Sequence, residues 1–462
     1  MIPIHGQPIL TAAAMRAAED AAIAGGTSVA TLMDRAGQGI AAATRRLAAG
    51  GEILILCGPG NNGGDGYTAA AVLRAAGLPV RLAASADPKT EAARNARSSW
   101  TEAVEPLDRT HSAPILLDCL FGTGLTRPLD AGIDRNLARL AQAARIVIAA
   151  DLPSGTNADT GQAPDWARQT PATLTLALGA LKPAHILHPA AAACGTVRLI
   201  DLGIHCPADV VAATVPDLPQ PGPETHKYTR GMVAIVSGRM PGAARLAAVA
   251  ALRSGAGYVA LYGGSGQGGP DAIVHRPYDL AALSDKRIGA ILIGPGLGRD
   301  DEARSRLTAL IEADTHPLVI DGDALRLLDL DMLKRRNHPP ILTPHAGEFK
   351  ALFGSPEGSL LDQARTAAVC ANAIVVLKGA TTIIASASTT RVHPAANPWL
   401  STAGTGDVLA GAIAAQLAYP GADPLVAASA GTWLHTRAAE LCGKSFIADD
   451  LANALTPARA GV

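Results

Sequence analysis

Short apolar runs, each closed by glycine or a polar residue, alternate with longer stretches of helical spacing in both halves of the chain. In the first half, Ile53–Cys57, Ile115–Leu117, Ile146–Ala149, Leu174–Leu178 and Val197–Ile200 read as buried strands. Thr11 can cap a helix that runs to Ala24 with Met15 on its apolar side, and Asp34–Leu47 reads as a second amphipathic helix. An alanine-rich helix is predicted to end at Gly77. In the second half the strand runs are Met232–Val236, a segment opened by Gly255 and Gly257, Ile288–Ile293, Pro317–Ile320, Ile341–Leu342 and Ile374–Leu377. A helix is predicted up to Arg253 and another over the apolar run Val408–Leu417. Strand–helix alternation of this kind predicts an α/β chain whose sheets are largely parallel, with helices on both faces.

A chain of 462 residues exceeds one ordinary core, so two domains are expected. Prolines crowd the stretch Pro207–Glu224, which places domains at 1–210 and 224–462 with a semi-extended linker at 211–223. With 48% hydrophobic and 17% charged residues the chain is globular and not disordered. A net charge of -1 gives no electrostatic case for nucleic acid or an acidic membrane surface. No apolar stretch has the length and purity of a membrane span, and the start MIPIHGQPIL lacks the pattern of a signal peptide, so a cytoplasmic protein is expected. Cys57, Cys119, Cys194, Cys206, Cys370 and Cys442 form no close pair, and read as reduced, mostly buried thiols.

Chemistry gathers where the strands end. Ile53–Cys57 runs into GPGNNGGDGY, read as a glycine loop before a helix. Its spacing is neither that of the dinucleotide fingerprint nor that of a Walker loop. Asn61, Asn62 and Asp65 among glycines suit a polar ligand or a hard monovalent cation; the plainer alternative is a tight Asn/Gly turn. Asp118 closes the next strand ahead of FGTGL, and Asp151 closes a third ahead of LPSG. In an open parallel sheet such ends meet at one crevice, and Asp151 is the best acid/base candidate by position. Lys182, His185 and His188 read as structural, because nothing in the sequence fixes a partner for them.

In the second half the key stretch is NPWLSTAGTGDVLAG, Asn397–Gly411. Gly404 and Gly406 let backbone N–H groups crowd a ligand, and a helix starting near Thr405 aims its positive end at the same point. Asp407 in the first turn is then placed to take a proton from a hydroxyl that attacks phosphorus. The bland alternative is an acid favouring a helix dipole.

The set NNGGDG, FGTGL, DLPSG and KPAH over residues 1–205 resembles the NAD(P)H-hydrate epimerase domain. The set KYTRG, GAG, GPGLG, DGDAL, LTPHAGE, KG and NP…AGTGD over 222–462 resembles the ADP/ATP-dependent NAD(P)H-hydrate dehydratase, a ribokinase-like family. The resemblance implies an N-terminal Rossmann-like α/β/α sandwich plus a C-terminal ribokinase-like α/β domain. It implies that the first half interconverts the R and S hydrates of NADH and NADPH (NADHX and NADPHX). The second half would return the S form to NAD(P)H, using ADP and releasing AMP and phosphate.

By matching position, the resemblance puts the dinucleotide on Asn61, Asn62, Gly63, Gly64 and Asp65, and on Gly122, Thr123, Gly124, Leu125, Thr126, Arg127 and Pro128. It puts potassium at Asn62, Asp118 and Ser154, and the hydrated ring at Asp151. In the second half it makes Asp407 the base, with Ala256, Gly296 and His345 on the hydrate. Nucleotide falls to Lys378, Gly379, Ala380, Thr381, Thr382, Gly404 and Gly406, with magnesium bridging its phosphates. His345 could instead be a strand-end histidine bonded to backbone, and Glu348 a capping acid. The chain departs from the family at Gly322, Ala346, Ala403 and in NPWLST, where Trp399 could reshape the lid over the nucleotide. Partners are expected to be the two hydrates and ADP, with no nucleic acid or membrane, in a homo-oligomer. The alternative is a C-terminal vitamin-precursor kinase of the same superfamily, carrying a non-catalytic N-terminal binding module.

Overall fold

The computed structural model of the chain describes residues 1–125, 127–161, 170–263, 268–394 and 397–462. Thr126, in the glycine loop assigned to the dinucleotide, lies outside the described residues. The chain divides into two compact units, Met1–Ala212 and Ala213–Val462.

In the first unit the strands are β1 (Ile53–Cys57), β2 (Val80–Ala84), β3 (Val104–Pro106), β4 (Ile115–Cys119), β5 (Ile146–Ala150), β6 (Leu174–Leu178) and β7 (Thr196–Ile200). They lie in the order β3-β2-β1-β4-β5-β6-β7 with every pairing parallel. The period of two splits β1 between two cores. Ile53, Ile55 and Cys57 pack with helices Val29–Ala48 and Asn61–Ala75, while Leu54 and Leu56 pack with Leu137 and Leu140 of helix Ala131–Ala143. The result is the expected α/β/α sandwich. Strand order reverses between β1 and β4, and a crevice opens there. A short strand, β8 (Val210–Ala212), bridges back from Val211 to Pro8.

Two local readings are corrected. The second helix starts at Val29 and not Asp34, because Ser28 caps it by accepting from Thr31 N–H. NNGGDG is not a loop: the helix runs Asn61–Ala75 and the motif forms its first turns. Its glycines serve close packing. A Cβ at Gly63 would lie 1.9 Å from Gly58 O, and one at Gly66 would lie 2.8 Å from Cys119 Cβ. The thiols are more varied than expected: Cys57, Cys119 and Cys194 are buried, but Cys370 is exposed.

In the second unit the strands are β9 (Met232–Val236), β10 (Tyr258–Tyr262), β11 (Val274–Arg276), β12 (Ala290–Ile293), β13 (Leu318–Ile320), β14 (Ile341–Leu342), β15 (Ile374–Leu377), β16 (Thr382–Ala385) and β17 (Thr390–His393). Their order is β11-β10-β9-β12-β13-β14-β15-β16-β17, parallel as far as β15 and antiparallel beyond it. Helix Thr405–Leu417 is buried almost all round. Gly411 sits where a Cβ would come 2.1 Å from Ala247 O, and Gly431 of the next helix presses against Ile413. The proline-rich segment is fastened to this unit: Leu218 joins Ala250, Leu434 and Leu455 in one cluster, and Arg459 Nη2 donates to Pro219 O at 2.7 Å. Among the described residues no helix is long and apolar enough to cross a membrane.

Candidate active sites

The first site forms at the carboxyl ends of β1, β4 and β5. Asp151 follows β5 with a φ of 63°, a left-handed conformation that strains a residue with a Cβ. Two bonds hold the turn: Asp151 N–H donates to Leu176 O at 2.8 Å, and His185 Nε2 donates to Asp151 O at 2.6 Å. His185 Nδ1 accepts from Lys182 N–H at 2.9 Å, which fixes the ring tautomer. Burial pushes the ring's pKa down to about 4, so it stays neutral.

Lys182 Nζ donates to Asp151 Oδ1 at 2.6 Å and to Leu178 O at 2.7 Å. Lys182 and Asp151 are only 1% and 5% exposed, so this ion pair is desolvated. Thr123 N–H donates to Asp151 Oδ2 at 3.2 Å. Burial raises the Asp151 pKa, but the charge of Lys182 and the hydrogen bonds around the carboxyl outweigh that and hold it below the ordinary carboxylate value. Asp65 shows the opposite case. It is buried with no hydrogen bond to its carboxyl among the described residues, and burial, then the charges of Asp151 and Glu19, push it well above the usual range.

Asp118 accepts from Leu120 N–H at 3.1 Å, Ser154 N–H at 3.0 Å and Ser154 Oγ at 2.7 Å. No basic side chain is among the groups acting on it, and burial raises its pKa. Gly122 is required: a Cβ there would lie 2.8 Å from Asp151 Oδ2 and 3.4 Å from Asn62 Cγ. The cavity over these groups has a volume of about 670 Å³. Asn61, Asn62, Asp65, the segment Gly122–Leu125 and Asp151 line it, together with Lys182 and Glu19, which sequence reasoning did not place there. Gly63 and Gly64 are buried inside the helix packing, and Arg127 and Pro128 are exposed; none of the four lines the cavity. Lys182 was missed because its partner lies 31 residues away, and only the turn after β6 brings them together.

The second site forms at the carboxyl ends of β13, β14 and β15 and the start of helix Thr405–Leu417. Gly404 precedes that helix with a φ of 90° and no side chain caps its free N–H groups. His435 Nε2 donates to Thr405 O at 2.9 Å and steadies the first turn. Lys378 Nζ lies 3.4 Å from where a Cβ on Gly406 would stand, so the ammonium touches the helix start. Its ion-pair partner is Asp321, at 2.8 Å, whose same oxygen accepts from Thr343 Oγ1 at 2.6 Å. Asp407 is pushed up to about 7 by burial and then by the charge of Asp321; Lys378 opposes the shift without cancelling it. Neither Asp321 nor Thr343 was singled out from the sequence, although the strand-end position in DGDAL and LTPHAGE was the available signal.

His345 and Glu348 form a capping box. His345 Nδ1 accepts from Gly347 N–H at 2.9 Å, and Glu348 Oε2 accepts from His345 N–H at 2.9 Å. The histidine side chain is 55% exposed at the site's rim, so capping and ligand contact are compatible. Gly296, at a φ of 63°, faces the same end of the sheet, where a Cβ would meet Met240 O at 2.1 Å. Gly379 and Ala380 are exposed in the turn after Lys378, and Thr381 and Thr382 lead into β16. Ala256 is not with them. It is 4% exposed and precedes β10, at the amino end of the sheet, opposite Asp407. Trp399 stands half-exposed on a short turn, Pro398–Leu400, which Asn397 pins by donating to Ala439 O at 3.0 Å.

Fold and sites together define a two-unit α/β enzyme with one strand-end carboxylate centre per unit. A family profile described as NAD(P)H-hydrate dehydratase matches residues 233–458, and one described as YjeF-related protein N-terminus matches residues 29–184. The bifunctional NAD(P)H-hydrate repair enzyme Nnr of Salinibacter ruber is 33% identical over 96% of this chain and 94% of its own length. Its namesake from Mycobacterium tuberculosis is 34% identical over 80% and 79%, and that from Escherichia coli 31% over 85% and 81%. An ADP/ATP-dependent NAD(P)H-hydrate dehydratase from Bacillus subtilis, crystallised with ATP/Mg2+, is 29% identical with a TM-score of 0.45, covering 53% of this chain and 94% of that one. The chain belongs to the family of bifunctional NAD(P)H-hydrate repair enzymes.

Proposed function

We propose that the chain repairs hydrated nicotinamide dinucleotides in two steps, epimerising the R and S hydrates of NADH and NADPH in the first unit and dehydrating the S form in the second. The observation that carries this reading is one aspartate per unit at the carboxyl side of each sheet, Asp151 after a strand and Asp407 in a helix's first turn, the first held low and the second raised to about 7, within a chain that matches the repair family along nearly its whole length.

In the first unit, inversion requires the carbon–oxygen bond of the ring hydroxyl to break and re-form on the other face. The ring nitrogen's lone pair expels the oxygen, and the ring carries positive charge until water returns. The Asp151–Lys182 pair balances that charge and carries the proton: the ammonium gives one to the departing hydroxyl, the carboxylate takes one from the returning water, and transfer within the pair restores both charges. The residues present offer oxygens to a monovalent cation: Asp118 is a buried carboxylate with no basic side chain acting on it, bonded to the hydroxyl of Ser154, and Asn62, which has an amide oxygen, lines the cavity. Potassium held by Asn62, Asp118 and Ser154 would supply the missing positive charge.

In the second unit, the substrate hydroxyl attacks the terminal phosphorus of ADP, its proton passes to Asp407, and AMP leaves. The helix start at Gly404–Asp407 and Lys378 steady the phosphoryl charge in transit. The ring nitrogen then expels phosphate, a proton leaves the adjacent carbon, and NAD(P)H is restored. Asp321 and Asp323 are already engaged, the first by Thr343 and Lys378, the second by Gly298 N–H and Arg299. Magnesium would therefore arrive mostly on the phosphates, its usual mode. The test is recovery of the reduced-nicotinamide absorbance from a mixture of R and S hydrate with magnesium and potassium, adding ADP or ATP in turn. Full recovery supports both steps. Recovery of the S fraction alone removes the epimerase, and no recovery removes the reading.

A further inference from the structure

We propose that Lys89 binds the phosphate on the adenosine ribose of the NADPH hydrate, so that the first site prefers this hydrate to that of NADH. The assignment rests on the reading that this site holds a dinucleotide. It then follows from the sheet. In an open sheet of order β3-β2-β1-β4-β5-β6-β7, an extended dinucleotide lies across the point where the order reverses, one half over each set of strands. Asp151 and Lys182 stand after β5 and β6, so the reacting ring belongs on that side. The pyrophosphate then falls over helix Asn61–Ala75, whose Gly60 cap offers no side chain to its free N–H groups. The adenosine half is left with the ends of β1 and β2. At that place dinucleotide folds read the ribose, with an acid for a free hydroxyl or a cation for a phosphate.

The loop after β2 supplies a cation. Lys89 N–H donates to Pro59 O at 2.8 Å, Thr90 Oγ1 donates to Asn61 Oδ1 at 2.7 Å, and Arg94 Nη1 donates to Lys89 O at 2.7 Å. The loop is thus clamped against the start of the motif helix. Lys89 and Thr90 line the same cavity as Asp151 and Lys182, whereas the loop's acid, Asp87, does not. The Lys89 ammonium has no ion-pair partner among the described residues.

The test measures epimer exchange by the full chain on each hydrate separately. K89A should lower the ratio of kcat/KM for the phosphorylated over the unphosphorylated hydrate about tenfold, mainly through KM, and K89R should keep most of it. Calorimetric binding of adenosine 2′,5′-bisphosphate and of AMP gives a readout independent of turnover: the bisphosphate should bind the wild type more tightly, and K89A should erase the difference. An unchanged ratio in K89A, with exchange proceeding, overturns the role of Lys89 and leaves the repair reading intact. A wild type that exchanges neither hydrate removes the epimerase half of the repair reading, and this assignment with it.

Discussion

Each unit places an aspartate and a lysine at the carboxyl ends of parallel strands, yet the two pairs are wired differently. In the first unit Lys182 bonds Asp151 itself, the proposed acid/base, and its ionised form is favoured. In the second, the lysine is spoken for: Lys378 bonds Asp321, and Asp407 is left under-neutralised with a pKa of about 7. The same residue types on the same kind of scaffold thus yield a carboxylate whose ionised form is favoured in one site and a proton acceptor tuned to neutrality in the other. The first suits a ring that becomes positive. The second suits a base that must take a proton and later release it. Charge state is set by which acid takes the lysine, not by the aspartate's position at a strand end.

The largest effects should come from removing each aspartate alone. D407N should slow dehydration of the S hydrate about a thousandfold while epimer exchange continues, and D151N should do the reverse. Exchange is followed by separating the epimers, and dehydration by the reduced-nicotinamide absorbance. Substantial activity in either variant would remove that residue from its role, and loss of both activities from one substitution would break the division between sites.

Next is the lysine that the sequence did not reveal. K182M leaves a buried carboxylate unpaired and should cost about 3–5 kcal/mol of stability in the first unit, with epimer exchange slowed about a hundredfold. The double variant K182M/D151N should recover much of the stability and none of the exchange. The sign is set by the depressed value of Asp151: its ionised form stabilises the fold above the unfolded carboxylate value, and that stability is lost as pH falls through the folded one. In K182M burial is no longer opposed by the ammonium, the folded value rises above the unfolded one and the sign reverses: stability should be lost as pH rises through it. Urea unfolding at two pH values checks it.

What could be read from the sequence was whatever lies close along the chain. Strands β1, β6, β9, β14 and β15 and the helix from Thr405 were legible as short apolar runs and one glycine signal, and Asp151 and Asp407 as their polar endings. What escaped was long-range. The Lys182–Asp151 and Lys378–Asp321 pairs are made between different strand ends, and no local pattern marks them. NNGGDG misled because glycine is a poor helix former in isolation, whereas here it is demanded by the approach of Gly58 and Cys119. The antiparallel strands β16 and β17 were missed, since TTIIA and TRVH are too short to declare a direction.

A smaller effect concerns pH. Dehydration should rise with pH through about 7 and level off above it, because Asp407 must be ionised to accept a proton. D321N removes a repelling charge and frees Lys378 to face Asp407, and both changes should move this limb to lower pH. Stability runs the other way. The folded value of Asp407 lies above the unfolded one, so stability is fully present below the unfolded value and is lost as pH rises through the folded value. D407N should therefore raise the Tm above pH 7 while abolishing activity. A Tm that falls instead would mean the carboxylate is better compensated than its neighbours indicate.

The smallest and most discriminating change is at His345, where the observed cap and the proposed contact would share one side chain. His345 Nδ1 serves the helix start, while Nε2 remains toward Glu348 at 3.4 Å and the ring is largely exposed. H345A should cost about 1 kcal/mol through the lost cap. H345N keeps an acceptor for the same N–H groups, so it should restore the stability. If the ring only caps, H345N should also restore dehydration in full. If the ring touches the hydrate, KM for the S hydrate should stay raised in H345N while kcat and Tm recover, because a shorter amide cannot reach where the imidazole did. Parallel loss of KM and Tm in both variants would assign the residue to the fold alone, and would leave Asp407, Lys378 and the helix start to carry recognition in the second site.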